Sequence, residues 1–141
     1  MKGSDGPGSD LATAITIRNV VLAVAGAAVL VLGSAYSGPF AEAFQAHSGN
    51  VAVSFALYFA ALNATARYQR PRLLAASLTL LAVELFEATD GFGVMANTDD
   101  PIDLVANAAG VGLAVIVDIA TTGVLRRRRD RRPDGRGQAS T

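Results

Sequence analysis

The sequence has no cysteine and a single histidine, His47. There is therefore no disulfide framework, no thiolate nucleophile and no thiolate metal site, and one histidine does not by itself build a histidine-rich one. Charge is also missing from long stretches. Lys and Arg number 12 and Asp and Glu 12, so the formal charge is zero, yet Arg126, Arg127, Arg128, Arg129, Arg131, Arg132 and Arg136 crowd one end while long central stretches carry no charge. Segregation of this kind is a topology signal before it is a partner signal. Catalytic motifs are lacking too: there is no glycine-rich phosphate loop after a strand, no GxSxG elbow and no HExxH pair, so an enzyme has little support.

What is present is apolar residues, 51% of 141, high for so short a water-soluble chain and enough for one domain. Residues 1–14 and 129–141 are polar or basic and read as disordered tails. Between them lie four apolar runs, predicted as spans at about 17–36, 51–66, 73–88 and 102–125. The first and last reach the roughly 20 residues that a 30 Å hydrocarbon core requires. The middle pair are shorter, and the connections decide them. The segment from Arg67 to Arg72 holds three arginines, whereas 37–50 and 89–101 hold no Lys or Arg. Four spans with both termini cytoplasmic put Lys2, Arg18, Arg67, Arg70, Arg72 and the arginine tail on one side, as the positive-inside rule demands. The predicted class is an all-α membrane protein of four transmembrane helices, multi-pass in the cell membrane.

The first run is longer than the apolar region of a signal peptide and its basic flank is thin, which favours an uncleaved helix, although Gly33, Ser34 and Ala35 supply small residues near its end. Asn63, Ala64 and Thr65 match a glycosylation sequon only formally, since they sit at the arginine-rich end of the second run.

The informative residues are the ionisable ones inside the spans. An acid at a helix centre costs about 2.5–3.5 kcal/mol on the insertion scale, against roughly 0.3–0.6 returned by each large apolar residue. Glu84 and Glu87 are three apart, on one face near the outer end of the third span. Asp103, Asn107, Gly110, Ala114 and Asp118 form one stripe down the fourth. Antiparallel packing would bring the Glu pair opposite Asp103 and Asn107, giving an outward-facing pocket capped by 89–101. Glu84, Glu87, Asp103 and Asn107 are thus the candidate ligand-binding residues, with a lipid head group, a cell-envelope precursor or a cation as the ligand. Ala106, Gly110 and Ala114 form a small-residue series for close approach, expected against the third span.

Asp118 sits apart and is expected to pair with a snorkelling Arg18, Arg67 or Arg126, a structural role. His47 reads as a surface loop residue, and Tyr36, Phe40, Phe44 and Tyr58 as interface or packing aromatics. The tail from Arg126 to Arg132 suits contact with anionic lipid; nucleic acid is not an expected partner, because no aromatics are interleaved. A second copy of the chain is a candidate partner, and nothing in the pattern requires a cofactor.

The second and last spans resemble the VanZ-like family of small membrane proteins. At the second span that family's signature looks like Asp-Lys-x-x-His-Phe-x-x-Tyr; here Phe55 and Tyr58 are kept, with Asn50, Val51 and Ser54 at the Asp, Lys and His positions. The late signature resembles Glu-x-x-Gln followed by Asp-x-x-x-Asn-x-x-Gly, matched by Glu84 with Glu87 in the Gln position, then Asp103, Asn107 and Gly110. The resemblance implies a four-helix membrane fold with a polar cluster near the outer face, and a link to glycopeptide resistance or the cell envelope. A structural subunit whose acids only lock helices together is the rival expectation, and a small proton- or cation-coupled transporter a third.

Overall fold

The computed structural model of the chain describes residues 7–33, 35–39, 41–89 and 101–131, and these form four helices. They are α1 (Pro7–Gly33), α2 (Ala41–Ala64), α3 (Pro71–Ala88) and α4 (Pro101–Asp130), with no strand among the described residues. Proline marks their starts: Pro7, Pro71 and Pro101 are first residues, and Pro39 lies just ahead of Ala41. At that position the missing N–H is an orphan in any case, and the fixed φ is already helical. α1 and α4 are long and apolar enough to cross a bilayer, over Ser9–Gly33 and Ile102–Asp130. α2 is interrupted by His47, Asn50, Ser54 and Asn63, and α3 by Arg72, Glu84 and Glu87.

Three boundaries differ from the sequence expectation. α1 starts at Pro7, so residues 7–14 are helical rather than a disordered tail, with Asp10 in the first turn where it complements the helix dipole. α2 starts at Ala41, ten residues before its apolar run. Residues 41–47 are mostly good helix formers, and propensity carries the helix outward where hydropathy alone would stop it. α4 continues to Asp130, with Arg127, Arg128 and Arg129 in a last turn that favours cations. The expected cap at 90–100, Phe40, the Phe44 side chain and the tails before 7 and after 131 lie outside the described residues.

α2 is the centre of the bundle, packed most extensively on α1 and α4 and also on α3, while α3 touches α4. Its residues Tyr58, Phe59 and Leu62 form the core with Ala75 of α3 and Val111 and Ala114 of α4. Phe59 takes both Phe55 and Tyr58 edge-on, with ring centroids 5.0 and 5.3 Å away, an arrangement aromatic quadrupoles favour. Polarity is distributed unusually. Asn19, Ser54, Thr65, Thr79, Asn107, Asp118 and Thr122 are buried, while Val20, Val24, Leu32, Leu81, Val105 and Ile116 are among many large apolar residues at the surface.

Two glycines set the helix spacing, and both face α2. A Cβ on Gly26 would lie 3.0 Å from Ala56 Cβ and 3.1 Å from the Ala52 carbonyl oxygen. A Cβ on Gly110 would lie 2.5 Å from the Val51 carbonyl oxygen and 2.9 Å from Ser54 Cβ. The small-residue series of α4 therefore meets α2, where α3 was expected. α2 offers Val51 and Ser54 to that face and packs on α4 more extensively than α3 does. Gly110→Ala is expected to destabilise the bundle by about 1–3 kcal/mol, because backbone must shift to admit the methyl. Gly112→Ala, which meets nothing within 4 Å, should be neutral or slightly stabilising. Thermal unfolding in detergent measures both, and equal melting points would refute the close contact.

Candidate functional site

Polar side chains collect at both ends of the bundle. At the end bearing 89 and 101, Asn107 of α4 is buried and accepts a 2.9 Å hydrogen bond from the Ser54 hydroxyl of α2. Glu84 of α3 has the Asn107 amide as its polar neighbour, and Glu87 lies close by on the next turn. One Glu84 oxygen is buried without a hydrogen-bond partner. Asp103 does not join this group through a direct bond. Its carboxylate instead lies 3.2 Å from His47 Nδ1 of α2. With the carboxylate ionised, Nδ1–H is the donor, leaving Nε2 for another partner.

His47 is thus a helical, half-buried residue paired with Asp103, not a loop residue on the surface. The outward extension of α2 puts it there. His47 also lines an apolar cavity of about 540 Å³ between α1, α2 and α4, whose walls include Leu22, Val29, Phe55 and Leu113. Phe55, one of the two residues kept from the second-span signature, is half-buried in that wall, and the other, Tyr58, is wholly buried in the core. Glu84, Glu87, Asp103 and Asn107 line neither of the two cavities described here. Among the described residues no three His, Asp or Glu side chains converge as a metal site requires.

The opposite end is richer. Asp118 of α4 has a side chain only 2% exposed, and both oxygens are occupied. Oδ1 accepts from Arg18 Nη2 at 2.6 Å and from the Thr122 hydroxyl at 3.0 Å, and Oδ2 accepts from Arg72 Nε at 2.5 Å. Arg18 also donates through Nη1 to the Thr121 and Thr122 hydroxyls at 2.9 and 2.6 Å. Its Nη2 donates to Asn19 Oδ1 at 2.5 Å, and Asn19 Nδ2 passes the chain on to Asn63 Oδ1 at 2.7 Å. Arg18 lies 6.0 Å above the Phe59 ring, a cation–π contact. Thr65 closes the α2–α3 turn, its hydroxyl donating to the Pro71 carbonyl at 3.1 Å.

Of the partners expected for Asp118, Arg18 is the one in contact, and Arg72 is an additional one. Arg72 had read only as a topology charge, and Asn19 and Asn63 were not singled out as partners. Their signal is present in hindsight: each is an amide near the inner end of an apolar run, where an unpaired polar group is costly. Asn63, at the formal sequon, is half-buried and accepts a hydrogen bond from Asn19.

Comparison with protein-family profiles, with curated proteins and with solved structures finds no match to this chain.

Removing one partner from a buried ion pair leaves the others charged and uncompensated, typically a loss of about 3–5 kcal/mol. Asp118→Asn is therefore expected to lower stability by about that much, since Arg18 and Arg72 lose their shared carboxylate. Arg18→Met combined with Asp118→Leu should cost less than the two single changes added together. Unfolding of the four variants in detergent, read by circular dichroism, checks this; strict additivity would show that the contacts are not coupled.

Proposed function

We propose that this is a four-span, VanZ-like protein of the cell membrane that binds the polar head of a membrane amphiphile at its outer face. The inverted packing supports the membrane setting. Large apolar side chains are exposed along α1, α3 and α4, a surface suited to hydrocarbon, while polar residues hydrogen-bond between helices, as they do where lipid offers no partner. α2 and α3 hold too many polar groups to insert comfortably alone, and Ser54 and Thr79 among them are buried in the bundle. Arg18, Arg70, Arg72 and Arg126 meet around one cavity, so the basic residues gather at a single end, the cytoplasmic one by the positive-inside rule.

The observation that carries the binding reading is the His47–Asp103 pair at the edge of the apolar cavity. An acyl chain fits the groove between α1, α2 and α4, and the His47 imidazole lines that groove with the Asp103 carboxylate 3.2 Å behind it. Ser54 and Asn107 belong to a second reading, that of helix glue, because their polar atoms are buried and bonded to each other. The VanZ-like resemblance gains physical sense from that same bond. The two stretches that carry it lie far apart in sequence, yet Ser54 meets Asn107 and Gly110 meets Val51.

Reporter fusions test the topology. Fusions after Arg128 and between Arg67 and Arg72 should report cytoplasmic, and fusions in 35–39 and 90–100 outside. An outside signal from the C-terminal fusion would refute four spans. For the site, Asp103→Asn and His47→Ala are expected to keep normal abundance and melting temperature, since an intramembrane hydrogen bond is worth about 0.6 kcal/mol on average, and yet to abolish the phenotype of gene deletion. Full complementation by both would leave the outer cluster purely structural.

A further inference from the structure

We propose a second binding site, in the cavity at the arginine-rich end, for the phosphate of an anionic membrane lipid, held by Arg70, Arg72 and Arg126. The cavity has a volume of about 590 Å³ and lies between the first half of α1, the α2–α3 turn and the last third of α4. Its charge is unbalanced. Four arginines, Arg18, Arg70, Arg72 and Arg126, line it against the single carboxylate of Asp118, and that carboxylate is already saturated by Arg18, Arg72 and Thr122.

The cations have donors to spare. Arg72 gives only Nε to Asp118, and its Nη1 and Nη2 make no hydrogen bond to any described residue. The 44% exposure of that side chain keeps those two nitrogens within reach of a ligand. The side chains of Arg70 and Arg126 are exposed and have no hydrogen bond or ion pair among the described residues. A guanidinium presents parallel N–H bonds that match two phosphate oxygens, and here one such group is fixed in place by its bond to a buried carboxylate. Pre-fixing removes part of the entropy that a free arginine would lose on binding.

The remaining wall identifies a lipid rather than a free ion. Ala12, Ile15, Leu62, Ala66 and Leu73 line the same space, and they suit the glycerol and first methylenes of an acyl chain, which inorganic phosphate would leave uncovered. Basic pockets between transmembrane helices on the cytoplasmic side are a recurrent way to hold anionic head groups. The site shares Arg126 with the arginine tail but is not the tail itself, because Arg127, Arg128, Arg129 and Arg131 do not line the cavity. It requires the membrane setting but not the outer site, so either can fail alone.

The test uses the full chain purified in detergent, with dioleoylphosphatidylglycerol, dioleoylphosphatidylcholine and inorganic phosphate as probes. Retained lipid is read by native mass spectrometry, and stability by thermal unfolding. Phosphatidylglycerol should bind about tenfold or more tighter than phosphatidylcholine and raise the melting temperature. Arg70→Gln with Arg126→Gln should weaken it about tenfold or more. Arg127→Gln with Arg128→Gln removes the same charge outside the cavity and should change it no more than about twofold. Should the double cavity variant unfold, the single variants Arg70→Gln and Arg126→Gln decide in its place. Equal losses from the cavity and tail pairs, or no preference between the two lipids, would overturn the proposal. Displacement of phosphatidylglycerol by millimolar inorganic phosphate would overturn the lipid assignment in favour of a free anion.

Discussion

The bundle depends on one buried carboxylate. Asp118 is held between Arg18 of α1 and Arg72 of α3, so a single residue of α4 ties three helices together. Apolar contacts alone leave the register of two helices poorly fixed, so close packing and polar contacts supply the specificity. Leu and Val side chains on such helices can pack in many registers; a carboxylate held by Arg18 on one oxygen and Arg72 on the other tolerates few. Arg18 then carries the constraint through Asn19 to Asn63, which brings α2 into the same network.

The rest of the packing follows from that lock. α2 fills the centre because its small residues let two neighbours approach closely, α1 at Gly26 and α4 at Gly110. Between the lock and the opposite end, Tyr58 and Phe59 fill the middle of the core, and polar pairing resumes at Ser54 and Asn107. Each end thus has a different character. The arginine-bearing one is cationic, saturated at its carboxylate and open at its arginines, while the other is a mixed pair of imidazole and carboxylate beside an apolar groove.

Much of this was legible before any coordinates. The four helices follow from hydropathy and from the arginine-bearing turn, and the stripe from Asp103 to Asp118 follows from helical periodicity. Glu84 does meet Asn107 as that spacing implied. The partners were harder to see. Periodicity tells which residues share a face, but not which neighbour that face meets, and so Gly110 was assigned to α3 when α2 is nearest. His47 escaped for another reason: it lies beyond the apolar run, where hydropathy falls silent although Ala, Glu and Gln continue the helix. Arg72 was hidden by its setting beside Arg67 and Arg70, since three arginines in a turn look alike until one of them finds a carboxylate.

The position of Asp118 along the chain gives the lock a direction in time. α1, α2 and α3 are all made before the ribosome reaches residue 118, so Arg18 and Arg72 exist for a time without the carboxylate that bridges them. Completion of the last helix supplies Asp118, and with it the tie between α1, α3 and α4. A chain cut short before residue 118 has the two guanidinium groups but not their shared anion.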